Sequence, residues 1–304
     1  MQRAVQVLKY LVPVVIAFFI GRVIYQNWQE VRNAAWSFRP IELSASFLLT
    51  GWWFVLRPRV WGFVLDHFGH KLTFHQAFQV VRKAELSRYV PGTIWQYVSR
   101  IYLAGLYGVP THATIATTLV ETVILFLASL IPALWFLSET LPSLNRYHLI
   151  MLWIIPIAAF VAIHPGVLNF WAKRLSRRLK QDYEPLKIRW LTMGGIWAFL
   201  LLSWLIFGTA AALFVRGVLA TPWGMIPQLA SDYALSWVVG MISMIAPAGM
   251  GIRDGMFGLL VGQRIGIGTA MTVAIGLRLW LTLTELAWTF GGLWFLGRGK
   301  SRVS

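Results

Sequence analysis

The chain has 304 residues, 58% of them hydrophobic and only 12% charged, with a mean hydropathy of +0.64, which excludes an ordinary water-soluble domain. Its net charge of +16 does not point to nucleic acid, because the basic residues lie between and beside apolar stretches instead of on a separate basic domain. The absence of cysteine excludes a disulfide framework, a thiolate metal site and a cysteine nucleophile.

The first apolar run lies within MQRAVQVLKYLVPVVIAFFIGRV. It has a basic start and no small-residue cleavage site, so it is expected to be a retained first span and not a signal peptide. Further spans are expected near 43–65, 113–137, 149–165, 192–215 and 269–296, the first lying near 5–25. Each is close to the roughly 20 residues that cross a hydrocarbon core of about 30 Å as a helix. Two other apolar regions, 76–106 and 228–265, are interrupted.

Lysine and arginine in the short connections set the direction. Lys173, Arg174, Arg177, Arg178, Lys180, Lys187 and Arg189 form a basic stretch expected to be cytoplasmic, as does the end with Arg298, Lys300 and Arg302. The 138–148 connection has no basic cluster and is expected outside. Counting back places 66–112 and the N-terminus inside, so both termini are cytoplasmic in a multi-pass protein of the plasma membrane.

Region 76–106 must then leave and rejoin the same side, which makes it a hairpin that enters and turns back. Phe78 to Tyr89 is one short helix of about 18 Å, half a bilayer core. Pro91-Gly92 is the turn. Ile94, Tyr97, Val98, Ile101 and Tyr102 then follow at helical spacing as an apolar stripe for the returning half. A proline kink in an ordinary span is the alternative.

Residues 243–262, SMIAPAGMGIRDGMFGLLVG, repeat the design from the opposite side. A helix from about Leu229 runs into Pro247, Gly249 and Gly251, and a short helix with Arg253 and Asp254 in its first turn follows. Each break precedes a similar sequence opening the next span: Gly108-Val109-Pro110-Thr111 and Gly266-Ile267-Gly268-Thr269. That next span carries a charge at matching depth, Glu121 in one half and Arg278 in the other. Broken segments in corresponding positions of oppositely oriented halves point to an inverted-repeat transporter with its site at the midplane. The expected fold class is an all-α polytopic membrane protein of two inverted-topology repeats, each with a broken re-entrant helical hairpin. It forms a single transmembrane domain over 1–304, with repeats at about 43–165 and about 192–296.

Intramembrane charges each need a partner or a purpose. They are Arg57, Arg59, Glu85, Arg88, Arg100, Glu121, Arg253, Asp254, Arg264, Arg278 and Glu285. Arg57 and Arg59 flank Pro58 and can snorkel to the interface. Glu121 with Arg278, or Arg253 with Asp254, would be structural pairs. Pairing leaves an arginine excess near two expected helix N-termini, at 93–95 and 252–254, where backbone N–H groups and a bidentate guanidinium suit a phosphate.

The aromatic-arginine pattern of LRPRVWGFVL, RYVPGTIWQYVSR with Gly105 and Gly108 after it, Glu121, and APAGMGIRDG with Arg278 after it resemble one family. This is the lysylphosphatidylglycerol synthase transmembrane region, the lipid-flippase portion of bacterial multiple peptide resistance proteins. The resemblance covers roughly residues 40 to 296. The family's second motif usually reads Pro-Gly-Gly-x-Gly-x-Arg-Glu; here Pro247, Gly249, Gly251 and Arg253 match, while Ala248 and Asp254 depart. Its first motif often carries Gly-Glu after the turn, where Trp95-Gln96 stand.

The resemblance implies two inverted repeats and movement of a phospholipid or polyprenyl-phosphate-linked lipid between leaflets. The head-group residues it and the pattern implicate are Arg88, Pro91, Gly92, Arg100, Glu121, Pro247, Gly249, Gly251, Arg253, Asp254 and Arg278. No aminoacyl-transferase domain is expected to follow, and no lysyl transfer. No catalytic residue, metal or cofactor is expected: the six histidines lack ligand spacing and no nucleotide motif is present. The expected partners are membrane lipids and no nucleic acid; a homo-oligomer is compatible. The alternative function is an accessory subunit or intramembrane enzyme of envelope glycolipid synthesis, with Glu85, Glu121 or Asp254 as acid or base. Trp52, Trp53, Trp61, Trp171 and Trp190 are expected in interfacial belts, and Trp95 in packing.

Overall fold

The computed structural model describes residues 18–89, 94–137, 146–162, 164–179, 185, 187–243 and 251–298. Pro91, Gly92, Pro247 and Gly249 lie outside them, as does most of the first expected span. The described residues are almost entirely helical and form no strand.

Helix α1 covers 18–26 and α2 runs Trp28–Asn33. An extended strap then bridges Trp36 to Leu219, with Ser37 N–H donating to Val218 O at 3.0 Å and Arg39 N–H to Gly217 O at 2.9 Å. Helix α3, Pro40–Asp66, begins with proline in its first turn, where the missing N–H costs no bond. It is as long as a span but carries Glu42, Arg57, Arg59 and Asp66.

Helix α4, Phe74–Leu86, starts in a capping box: the Gln76 N–H donates to Thr73 Oγ1 and the Thr73 N–H donates to Gln76 Oε1. A single 3₁₀ turn, Ser87–Tyr89, continues it. Helix α5 is Trp95–Gly105 and α6 is Thr111–Trp135. Helix α7, Arg146–Ala162, gives way at a bend of about 79° to α8, Pro165–Leu179. Much of the basic connection is therefore helix and not loop. It carries Leu168 and Trp171 along one face and Lys173, Arg174 and Arg177 along the other, the pattern of a helix lying in a membrane interface.

Helix α9 is Trp190–Val218, α10 Ile226–Ser243, α11 Ile252–Ile265 and α12 Ile267–Arg298. Among the described residues three helices, α6, α9 and α12 as far as Leu296, are long and apolar enough to cross a membrane; α7 with α8 makes a fourth if that bent pair is one span.

Helix α3 packs most extensively on α9. The main core joins Trp53 and Phe54 of α3, Ile124 of α6, Trp204 and Phe207 of α9, Tyr233 of α10 and Phe257 of α11. Trp53 stacks on Phe207 with ring centroids 4.6 Å apart, and Trp61 is wholly buried with its indole N–H donating to Thr118 Oγ1 at 3.2 Å. These two tryptophans are core and not interfacial belt, a correction to the sequence expectation. Trp52 and Trp171 do face outward, 50% and 61% exposed.

Packing follows an exchangeable pattern. Helix α3 lies on α4 and α9 on α10; α4 lies on α5 and α10 on α11; α5 lies on α6 and α11 on α12. Helix α3 touches α6 and α12, and α9 touches α12 and α6; α4 touches α12 and α10 touches α6. Exchanging 3 with 9, 4 with 10, 5 with 11 and 6 with 12 leaves every one of these contacts in place. The two elbows also match, since Gly108 and Gly266 both adopt positive φ, 77° and 83°, just before a long helix. That region is open to glycine and strained for a side chain.

Candidate functional site

Two groups of charged side chains lie inside this helical body. The first surrounds the end of α4. Arg57 of α3 donates from Nη1 to Glu85 Oε1 at 2.7 Å and from Nη2 to Glu121 Oε1 of α6 at 2.9 Å. Arg100 of α5 donates to the other Glu121 oxygen at 2.9 Å and stands 3.7 Å from Glu85. Arg82 of α4 bonds Glu85 one turn away, and reaches across to α12, donating to Glu285 Oε1 at 3.1 Å and Thr289 Oγ1 at 2.7 Å. Arg88, in the 3₁₀ turn, also bonds Glu285.

Three of the arginines lie over indole or phenyl faces: Arg82 over Phe54 at 4.4 Å, Arg100 over Trp61 at 5.8 Å and Arg57 over Trp53 at 5.9 Å. Glu85, Glu121, Glu285 and Arg82 are all at most 3% exposed. Four guanidinium groups therefore face three carboxylates in a dry setting, where such pairs hold together only with many hydrogen bonds.

The sequence grouped Arg88, Arg100 and Glu121 as head-group residues, and the structure brings all three into this network. Glu121 is engaged by Arg57 of α3 and Arg100 of α5. Arg82 was missed because it neighbours Lys83 and reads as an interfacial pair. The available signal was its i,i+3 spacing to Glu85, which puts opposite charges on one helix face.

The apolar stripe of α5, whose direction the sequence left open, faces outward. Ile94, Tyr97, Val98 and Tyr102 are 44–67% exposed, while Arg100 and Ala104 are buried. In a membrane the outward face meets lipid and the inward face can carry the charge. Trp95 likewise stands 43% exposed, not packed in the core.

The second group sits where α10, α11 and α12 meet. Tyr233, Ser236, Arg253, Asp254, Phe257, Ala274, Leu277 and Arg278 line a small cavity of about 10 Å³, the space of a single water. It lies at the first turn of α11, whose N-cap is Gly251 at φ 83°. The Gly251 N–H donates to Asp254 Oδ2 at 3.2 Å, and Arg253 Nη2 stands 3.5 Å from Asp254 Oδ1. The expected pairing of Arg253 with Asp254 is therefore present.

Helices α10 and α11 approach closely here: a methyl group on Gly240 would stand 3.0 Å from Arg253 Cβ. Of the residues named from sequence, Gly251, Arg253, Asp254 and Arg278 meet at this point. Tyr233 was not among them, because a tyrosine in an apolar run looks like any other core aromatic. Asp232 beside it bonds Arg264 of α11, a pair the sequence did not connect.

Among the described residues no group of histidines and carboxylates forms a metal cluster. The class that this fold and these sites define is an α-helical membrane protein with arginine side chains gathered between its helices. Neither a protein-family model nor a curated protein matches the chain.

Proposed function

We propose that this chain moves an anionic lipid, a phospholipid or a polyprenyl-phosphate-linked lipid, between the leaflets of the plasma membrane. The observation that carries the reading is the cationic excess inside an apolar body. Six arginines, Arg57, Arg82, Arg88, Arg100, Arg253 and Arg278, stand against Glu85, Glu121, Glu285 and Asp254 in the two centres. Cationic side chains inside an apolar body are costly, and an anionic head group passing between leaflets is a natural complement.

In this reading the two halves are inverted repeats, and 76–106 and 228–265 are re-entrant hairpins. The exchangeable packing pattern and the paired glycine elbows support that. The head group would be held between the broken helices while the acyl tails stay in the bilayer. The motif likeness to the lysylphosphatidylglycerol synthase transmembrane region points the same way, and we infer membership of that family. The intramembrane-enzyme alternative needs a free acid or base, whereas Glu85, Glu121 and Asp254 are each engaged by arginine. Translocation therefore accounts for more of the site.

The test is reconstitution of the purified protein into liposomes with a fluorescent anionic phospholipid or polyprenyl phosphate, following its loss from the outer leaflet on reduction by dithionite. Protein-dependent exchange is expected, falling about tenfold or more in Arg278→Ala, the scale of one charged hydrogen bond. Exchange no faster than in protein-free vesicles, for both lipids, would refute the proposal.

A further inference from the structure

The two centres differ in a way that locates the anion. In the first, Glu85, Glu121 and Glu285 already occupy the guanidinium faces, so its own carboxylates stand where a ligand's oxygens would. In the second, donors are left over. Tyr233 is only 2% exposed, lines the cavity, and its hydroxyl has no hydrogen-bond partner among the described residues. The Nε of Arg253 is also buried without a hydrogen-bond partner. Buried polar groups in native proteins are nearly always satisfied, and one that is not calls for an unseen partner.

The Tyr233 ring is fixed by edge-on contacts with Phe207 at 5.5 Å and Phe257 at 5.9 Å, and Arg253 lies over it at 5.6 Å. Its hydroxyl is therefore held in position before any ligand arrives. Asp254 takes the Nη2 end of Arg253 and the Gly251 N–H, which leaves Nε for another acceptor.

Resting on the translocation reading, we infer that each chain holds one anionic group, in the second half, and that Tyr233 is its hydrogen-bond donor. The ligand chemistry is a tetrahedral phosphate oxyanion. Donors arrive from three helices, Tyr233 on α10, Arg253 on α11 and Arg278 on α12, a spread that suits oxygens arranged about phosphorus better than a planar carboxylate. The first turn of α11 adds backbone N–H groups of the kind that bind phosphate. At about 10 Å³ the cavity holds no more than a water, so this is its closed form, and binding must part α10 from α11. The first centre, whose guanidinium groups are already engaged by its own carboxylates, then serves as a brace whose Glu285 ties α12 to α4.

The test uses full-length protein and two phosphate sources. In detergent, the unfolding midpoint is measured with inorganic phosphate against chloride at equal ionic strength. In vesicles of phosphatidylglycerol in phosphatidylcholine, exchange of fluorescent phosphatidylglycerol is measured. Tyr233→Phe keeps the ring packing, so its midpoint without phosphate should match or exceed wild type. The phosphate-dependent rise should shrink and exchange should fall about tenfold, the loss of one hydrogen bond to a charged group. Arg100→Gln should lower the basal midpoint yet retain the phosphate-dependent rise.

A rise that survives Tyr233→Phe and disappears in Arg100→Gln overturns the assignment. Exchange in wild type that is equal in Tyr233→Phe overturns it too, while leaving translocation standing. A Tyr233-dependent phosphate effect without lipid exchange keeps the site and refutes transport of phosphatidylglycerol. Exchange that depends on Tyr233, with no effect of inorganic phosphate, supports the site and identifies the lipid head group as its source.

Discussion

Glu85 holds together more of the buried charge than any neighbour, since Arg57, Arg82 and Arg100 all approach it. Removing it leaves three guanidinium groups short of acceptors where water cannot replace them. Glu85→Ala is therefore expected to destabilise the protein by about 3–5 kcal/mol, read as a fall in the unfolding midpoint in detergent. The exposed Lys71–Asp66 pair, at 3.8 Å with the lysine 84% exposed, makes the contrast: Lys71→Ala should change stability by less than about 1 kcal/mol. A fall in Glu85→Ala no larger than in Lys71→Ala would show that the network is solvated. At this scale Arg57, Glu85, Arg88, Arg100, Glu121 and Glu285 were legible, because charges in apolar runs stand out, while the buried Arg82, Arg216 and Asp232 were not named. Their partners were not legible. Arg57 and Glu121 lie 64 positions apart and Arg82 and Glu285 203 apart, distances over which no local pattern operates.

Helices in this protein meet through small residues. Trp288 of α12 sits directly over Gly51 of α3, where an added methyl group would stand 2.0 Å from its ring. Phe78 of α4 sits over Gly292 of α12 in the same manner, at 2.5 Å. With lipid on both sides there is little hydrophobic drive between helices, so close backbone approach and dispersion hold them together. Gly51→Ala should therefore destabilise by about 1–3 kcal/mol, through displacement of a whole indole. Gly195 of α9 faces open space, and Gly195→Ala should be neutral or stabilising by up to about 1 kcal/mol. Opposite signs in paired unfolding measurements would bear this out; equal effects would count against glycine-mediated packing. Most element positions were legible from hydropathy, proline and glycine, although the short helix expected from Phe78 begins at Phe74, where Thr73 and Gln76 cap it. The face each helix buries was not. Helix α5 turns its apolar stripe outward because the solvent of a membrane helix is lipid, and amphipathicity alone cannot say which side is core.

Among the described residues, α3–α6 and α9–α12 share one pattern of helix contacts. If the halves are inverted as we propose, the bend between α7 and α8 brings the chain to the cytoplasmic surface, with the basic helix lying on it. Since the chain lacks cysteine, single substitutions test this directly. Ser176→Cys on α8 should react with a membrane-impermeant maleimide only after permeabilisation, and Tyr147→Cys at the start of α7 should react in intact cells. Labelling of both from the same side would break the inverted arrangement. The sequence by itself determined that this is a helical membrane protein, where most of its helices lie, and that Glu85, Arg100, Glu121 and Glu285 are charges inside it, because hydropathy, breakers and intramembrane charge are local quantities. Only the tertiary structure decided which carboxylate meets which arginine, which tryptophans are core, and that Tyr233 shares a cavity with Arg253 and Arg278. Those outcomes depend on side chains from three or more helices meeting in space, and the free energy that selects them exists only once the helices have packed.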